Sequence, residues 1–321
     1  MALLSAFQTA RAAHVHEGAD TTVAIVMFDG VQIIDFAAPY EVFGQARFNV
    51  YTVSADGEPV TTAMGLKVAV DHAFESAPAA DVVLVPGGDV DEVRRHAVTL
   101  EWLRSHAVGA EQILSICTGS FILADAGLLD GLRATTFHRA FDNFERMFPQ
   151  VTLVRDQRWV DNGVVVTSAG LASGIDAALH VVAERLGERR ARAVAMHLEY
   201  EWSPDAGFVR GQMADRHLRI PERHLKLPSG TQIDTVLQLG DKRRWEIDYR
   251  VRSPAAPEAL IASLADAARA VPALAIAKDH GPLTTAWRYE SPHGGHWELK
   301  FTAEPAIDGA FNLFAELKPA N

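Results

Sequence analysis

Gln112-Ile-Leu-Ser-Ile-Cys117-Thr-Gly-Ser-Phe-Ile-Leu-Ala-Asp-Ala-Gly127 is the stretch that decides the fold. Residues 112–116 form a short apolar run suited to a buried strand, and 118–126 carry a helical pattern that stops before Gly127. Cys117 stands at the joint and is the single cysteine of 321 residues. A strand that turns directly into a helix lifts its central side chain above the sheet and aims the next N–H groups at whatever binds there. Such a field favours an anion, so the joint is expected to lower the thiol pKa and supply thiolate, the nucleophilic form. Gly119 permits tight packing at this turn. The glycine usual two residues before such a nucleophile is absent, and Ser115 stands there. A lone cysteine after an apolar strand also fits a small buried hydrophobe, so the rest of the chain has to decide.

Outward from that joint, the segments before and after it alternate between strand and helix. Residues 21–28 are an apolar run closed by Asp29-Gly30, and 31–45 read as a turn and a helix with Asp35 at its start. Pro39 suits a first turn. A strand over 48–54 and an excursion of short strands over 59–74 follow. The run 81–85 ends in Pro86-Gly87-Gly88, and 90–106 supply a helix with Leu100 and Leu103 facing in. Beyond the joint, 133–137 read as a strand and 140–148 as a helix. Residues 151–154 and 159–160 read as paired strands, and 164–168 as another strand. Helices are expected over 171–186 and 188–202. This alternation predicts an α/β layered sandwich with a mostly parallel, flavodoxin-like sheet over 21–204.

The pattern changes after Ser203-Pro204-Asp205. Residues 205–230 mix charge, Gly and Pro and read as a linker. In 231–321, Trp245, Ile247, Tyr249 and Val251 alternate with polar residues, as in a sheet with one wet face. A helix is expected over 257–271, a hairpin from 285–290 and 296–302, and a closing helix over 310–317. This makes a separate small α+β domain, in which Trp245, Trp287 and Trp297 suit the core of a sheet.

Composition narrows the function classes. Hydrophobic residues make up 48% and charged residues 22%, enough for a sizeable core. The net charge of −11 argues against nonspecific nucleic-acid binding. No apolar run is long enough for a membrane span. One cysteine cannot form an internal disulfide. Residues 1–20 lack a basic start before an apolar core and read as a flexible arm, not a signal peptide, of a cytoplasmic protein. No convincing metal-ligand spacing occurs, since His293 and His296 flank a glycine turn.

If 21–204 form a parallel layer, three turns meet at the carboxyl ends of strands, where such folds bind ligands. These are the exit of the first strand, the Pro86-Gly87-Gly88 turn and the Cys117 joint. Asp35 can reach the same crevice. Gly88 offers an unshielded N–H and Thr118 a second, together an oxyanion hole, with Gly87 beside them. An acid, a thiol and N–H donors make a nucleophilic site.

These residues resemble a family. Gly30-Val-Gln-Ile-Ile-Asp35-Phe-Ala-Ala-Pro39-Tyr-Glu-Val-Phe43, Val85-Pro-Gly-Gly88, Ser115-Ile-Cys117-Thr-Gly119, Leu128-Leu-Asp-Gly131, Thr167-Ser-Ala-Gly170 and Gly174-Ile-Asp176 look like the ThiJ/PfpI superfamily, with its class I glutamine amidotransferase-like sandwich. Asp35, where many members carry Glu, and Thr118 after the cysteine resemble the isonitrile hydratase branch. The resemblance implies Cys117 as nucleophile on the isonitrile carbon, Asp35 managing the proton and water, and Thr118 supporting the site. It implies an N-substituted formamide as product, no cofactor, and a homodimer. Other readings within the superfamily are a ligand or redox sensor without turnover and a glyoxalase- or amidase-like thiol enzyme. Many relatives place His directly after the Thr-Thr pair, whereas here Thr135-Thr136 is followed by Phe137 and then His138, which is a candidate substrate-binding residue whose alternative is a surface or helix-start histidine. Regulator relatives carry a helix-turn-helix after this domain. No basic recognition helix is visible here, which disfavours DNA binding.

Overall fold

The apolar run at residues 21–28 becomes β1 (Thr22–Val26), with Val23 to Val26 fully buried. Burying a valine or isoleucine from both faces contributes about 1.5–3 kcal/mol each, which is why such runs settle inside a parallel sheet. The computed structural model describes residues 21–204, 210–277, 281–305 and 310–320. The 1–20 arm read from the sequence lies outside them. The chain divides into two compact units, with the break between residues 209 and 210.

After β1 come α1 (Ile33–Gln45), β2 (Asn49–Ser54), β3 (Val60–Thr61), β4 (Lys67–Val68), β5 (His72–Ala73) and β6 (Val82–Val85). Next are α2 (Ala97–Ala107), β7 (Gln112–Ile116), α3 (Gly119–Asp125), β8 (Arg133–Ala134), α4 (Phe141–Met147) and β9 (Thr152–Leu153). The first unit closes with β10 (Trp159–Asp161), β11 (Val165–Ser168), α5 (Ala172–Leu186) and α6 (Glu188–His197). Seven strands form the central sheet in the order β10-β11-β7-β6-β1-β2-β5. All neighbours run parallel except β10 against β11. The sheet grows from β1 toward β2 and then from β1 toward β6, so the order reverses between β1 and β6. The crevice of a doubly wound sheet opens at such a reversal.

Several local expectations change. Pro39 lies inside α1, where its missing N–H leaves the carbonyl of Asp35 without its helical partner. The helix expected over 90–106 is a 3₁₀ turn, Val93–Arg95, followed by α2. The segments 151–154 and 159–160 do not pair with each other. Instead β9 pairs parallel with β8 in a separate two-stranded sheet, and β10 pairs antiparallel with β11 at the edge of the central one.

The second unit contains β12 (Gln232–Gly240), β13 (Trp245–Arg252), α7 (Pro257–Arg269), β14 (Ala275–Ile276), β15 (Thr284–Glu290), β16 (His296–Pro305) and β17 (Phe311–Pro319). Its six strands form one antiparallel sheet in the order β12-β13-β17-β16-β15-β14. α7 packs Leu260, Ile261 and Leu264 into a core with Trp245, Trp287, Trp297 and Leu299. Residues 310–317 were expected to be helical. They form β17, in which Phe311, Leu313, Ala315 and Leu317 all face that core. The stretch read as a linker, 205–230, is in its described part built into this unit. Met213, Ala214 and His217 are buried there among short 3₁₀ turns.

Candidate functional site

Cys117 emerges from the carboxyl end of β7, beside the sheet reversal. Its φ of +57° lies in the left-handed region, which a side-chain-bearing residue adopts only when its surroundings hold it there. Those surroundings are explicit. The Cys117 N–H donates to the Ser168 carbonyl at 3.0 Å, and its carbonyl accepts from Thr136 Oγ1 at 3.0 Å and Ser120 Oγ at 3.1 Å. Two glycines crowd the thiol from outside its own segment. A Cβ on Gly170, whose φ is +94°, would stand 2.9 Å from Sγ and 2.5 Å from the Cys117 Cβ. A Cβ on Gly87 would stand 2.7 Å from the Cys117 Cβ and 2.7 Å from the Thr118 nitrogen. Room for the turn therefore comes from Gly170 and Gly87, which explains why Ser115 is tolerated two residues before the cysteine.

Asp35, third residue of α1, is fully buried. Its Oδ1 accepts from the Leu171 N–H at 3.1 Å, across 136 residues of sequence. Its Oδ2 has no protein hydrogen-bond partner. Burial pushes the Asp35 carboxyl up to about 6, opposed by the Leu171 N–H, the Cys117 thiol and the Gly87 N–H. The Cys117 thiol is pushed up strongly, first by burial and then by the Asp35 charge. The N–H and side chain of Thr118 pull the other way with less effect. The sequence led us to expect a lowered thiol pKa. The structure reverses this, because a helix of seven residues cannot outweigh desolvation beside a carboxylate. Above pH 6 the carboxyl is therefore ionised while the thiol keeps its proton.

Thr118 has a different part from the one expected. Its Oγ1 accepts from the Gly88 N–H at 2.9 Å and donates to the Gly88 carbonyl at 3.0 Å. The Gly88 N–H is therefore engaged, and the expected pairing of Gly88 and Thr118 donors in an oxyanion hole does not form. The Thr118 N–H is instead directed to the Cys117 sulfur and the Gly87 N–H to Asp35. The Gly87 carbonyl accepts from the Gln32 N–H at 2.8 Å, which ties the β6 turn to the entry of α1.

Asp35, Gly87, Gly88, Cys117 and Thr118 thus converge. His138 opens a 3₁₀ turn, His138–Ala140, half-buried, with its ring against the edge of Phe137 at 4.4 Å between centroids. Asp176 is fully buried but does not pair within its own helix. It accepts from Arg158 at 2.5 Å and from the Tyr200 hydroxyl at 3.0 Å. The sequence did not mark Gly170 or Leu171 as part of the site. The available signal was Ser168-Ala-Gly170, a fourth strand exit at the same sheet edge, read only as a fold motif. Leu171 takes φ +51°, ψ −126° to deliver its N–H to Asp35. Among the described residues no group of three or more His, Cys, Asp or Glu could hold a metal ion.

Residues 21–184 match the model of the DJ-1/PfpI family. The chain belongs to that family. It is 37% identical over 184 residues to the isonitrile hydratase of Pseudomonas putida, covering 57% of this chain and 79% of that protein. It is 34% identical over 208 residues to the HTH-type transcriptional regulator CdhR of Pseudomonas aeruginosa, covering 62% of this chain and 59% of the regulator. A ThiJ/PfpI family protein from Pseudomonas syringae superposes with a TM-score of 0.53 at 27% identity, covering 64% of this chain and 86% of that one. Drosophila melanogaster DJ-1beta shares the fold, with a TM-score of 0.52 at 22% identity over 57% of this chain and 99% of its own. These matches account for the first unit. Among the described residues the second unit holds one α-helix, α7, and no helix of the described chain is long and apolar enough to cross a membrane.

Proposed function

We propose that the first unit is a cysteine-dependent hydratase that adds water to an isonitrile and releases an N-substituted formamide. The observation that carries this reading is the buried pair of Asp35 and Cys117, with Asp35 Oδ2 unpartnered. The 37% identity to an isonitrile hydratase supports the choice of substrate class.

The pair suits an electrophile that must gain a proton as it is attacked. The thiol gives its proton to Asp35 as sulfur bonds to the isonitrile carbon. Asp35 returns that proton to the same carbon, and a thioimidate results. Asp35, again a carboxylate, then takes a proton from water as the water oxygen bonds to that carbon, and passes this proton to the nitrogen. As the carbonyl forms the C–S bond breaks, the remaining water proton goes by way of Asp35 to sulfur, and the formamide leaves. Thiol and carboxylate end as they began, so no cofactor is consumed. A carboxyl near pKa 6 both accepts and donates protons at neutral pH, as general acid–base work requires. The Thr118 N–H, directed at sulfur, stabilises the thiolate as it forms and again as it departs. Thr118 Oγ1 holds the Gly88 turn against the site, and Gly87 leaves room for the substrate carbon.

Relatives named as transcriptional regulators favour a second reading, a sensor that binds a small molecule without turnover. The raised thiol pKa argues against a redox version of it, because oxidation begins at the thiolate. A free thiol in the site suits a reducing compartment such as the cytoplasm, and a homodimer is the proposed assembly. The test is hydration of a simple alkyl isonitrile, followed as formamide, by wild type, Cys117→Ala and Asp35→Ala. Turnover by wild type, lost in both variants, is expected. Undiminished turnover in Cys117→Ala would refute the mechanism. Binding without turnover in wild type would select the sensor.

A further inference from the structure

The elbow at Gly170 and Leu171 is tied on both sides to one residue. Just before it, the Ala169 N–H donates to the Arg158 carbonyl at 2.8 Å. Just after it, in α5, Asp176 Oδ2 accepts from the Arg158 guanidinium at 2.5 Å. Arg158 precedes β10, so its backbone and its side chain grip the chain on either flank of the elbow. Asp176 is fully buried, which is costly for a carboxylate unless both oxygens are satisfied. They are, because Oδ1 accepts from the hydroxyl of Tyr200, beyond α6, at 3.0 Å. The proposed reaction at Cys117 uses none of these three side chains directly.

The elbow needs such support. Gly170 stands at φ +94° and Leu171 at φ +51°, ψ −126°, a conformation that a residue with a side chain holds only under constraint. Relaxation toward ordinary backbone angles would turn the Leu171 N–H away from Asp35 Oδ1, which it meets at 3.1 Å. The first turn of α5 is also seated closely on β7. A Cβ on Gly174 would stand 2.9 Å from Ile116 Cγ2, next to Cys117. The position of α5 is therefore felt at the reacting pair.

We propose that Arg158, Asp176 and Tyr200 are positioning residues, a buried clamp that holds the Gly170–Leu171 elbow so that the Leu171 N–H stays on Asp35. The clamp follows from the geometry, whereas its effect on turnover rests on Asp35 as the proton carrier of the proposed hydratase. The Leu171 N–H favours the ionised carboxylate, alongside the Cys117 thiol and the Gly87 N–H, and burial opposes all three. Loosening the clamp therefore makes Asp35 harder to ionise.

The test reads Asp35 itself, by the carboxyl ¹³C resonance of labelled aspartate, assigned by its loss in Asp35→Asn. Wild type is expected to titrate near 6. Arg158→Met and Asp176→Asn are both expected to raise that midpoint by about one pH unit, the worth of one hydrogen bond to a charged group. The shared direction is decisive. Acting only as charges through space, loss of the cation would raise the midpoint and loss of the anion would lower it. The double variant should shift no further than either single one, because both break the same clamp. Tyr200→Phe alters no charge and should move the midpoint the same way by less, which keeps the test open if a charge variant fails to fold. Opposite signs for the two charge variants, or an unmoved midpoint in Tyr200→Phe or in either charge variant that folds, would overturn the proposal. The acid limb of kcat/KM for isonitrile hydration should follow the resonance. A shifted resonance in a protein that hydrates no isonitrile upholds the clamp and refutes only the hydratase reading.

Discussion

Asp35→Asn separates two opposed accounts of how the thiol is prepared. If the carboxylate activated the resting thiol, the substitution would slow every reaction of Cys117. The structure has the opposite sign, since the Asp35 charge raises the thiol pKa. Two unit charges about 4 Å apart at an effective dielectric near 20 interact by about 4 kcal/mol, and a partly screened pair by about half that. Removing the charge therefore raises the thiolate population at fixed pH by about 1.5–3 decades. A less basic thiolate is also a weaker nucleophile, which removes about half of that gain. The assay is the rate of iodoacetamide alkylation at pH 8, where Asp35 is ionised. Asp35→Asn is expected to react about ten times faster than wild type while losing isonitrile turnover. Alkylation equal to or slower than wild type would refute the reasoning.

Further outcomes follow from the same geometry. A carboxyl held near 6 in the fold against 3.8 unfolded costs stability above pH 6, and this cost vanishes as pH falls below 3.8. Asp35→Asn should therefore stabilise the protein by about 3 kcal/mol at pH 8 and by almost nothing at pH 3.5, checked by denaturant melts at both values. Thr118→Val loses both bonds to Gly88 and should cost about 1–3 kcal/mol and most of the activity, whereas Thr118→Ser retains both. Gly170→Ala drives a methyl against the thiol and should cost about 2–4 kcal/mol, read from the melting midpoint. Leu171→Gly relieves a positive φ while keeping the N–H to Asp35. A higher melting point with an unchanged pH profile is expected.

Much of the first unit was legible because its information is local. Buried parallel strands appear as apolar runs, and Gly87, Gly88 and Cys117 mark where such runs end. The second unit was harder. Residues 311–317 contain good helix formers, and they form a strand only because β13 and β16 flank them at long range. β12 was not anticipated, since its bulge breaks the alternation that marks a strand. Residues 210–217 carry no periodicity, so the burial of Met213 and Ala214 could not be seen. Within the site, the Asp35–Cys117 pairing followed from the shared sheet edge. The sign of the thiol shift did not, because burial depth is a property of the packed structure. The engagement of Gly88 by Thr118 was hidden for the same reason, since it depends on the rotamer of one side chain.

The central claim is that Cys117 forms a bond to the substrate carbon. Rapid mixing with an alkyl isonitrile, acid quench and peptide mass spectrometry test it directly. The account predicts a transient gain of one whole isonitrile on the Cys117 peptide, appearing before formamide and absent from Cys117→Ala. Formamide produced at full rate with no adduct on that peptide at any time would contradict it.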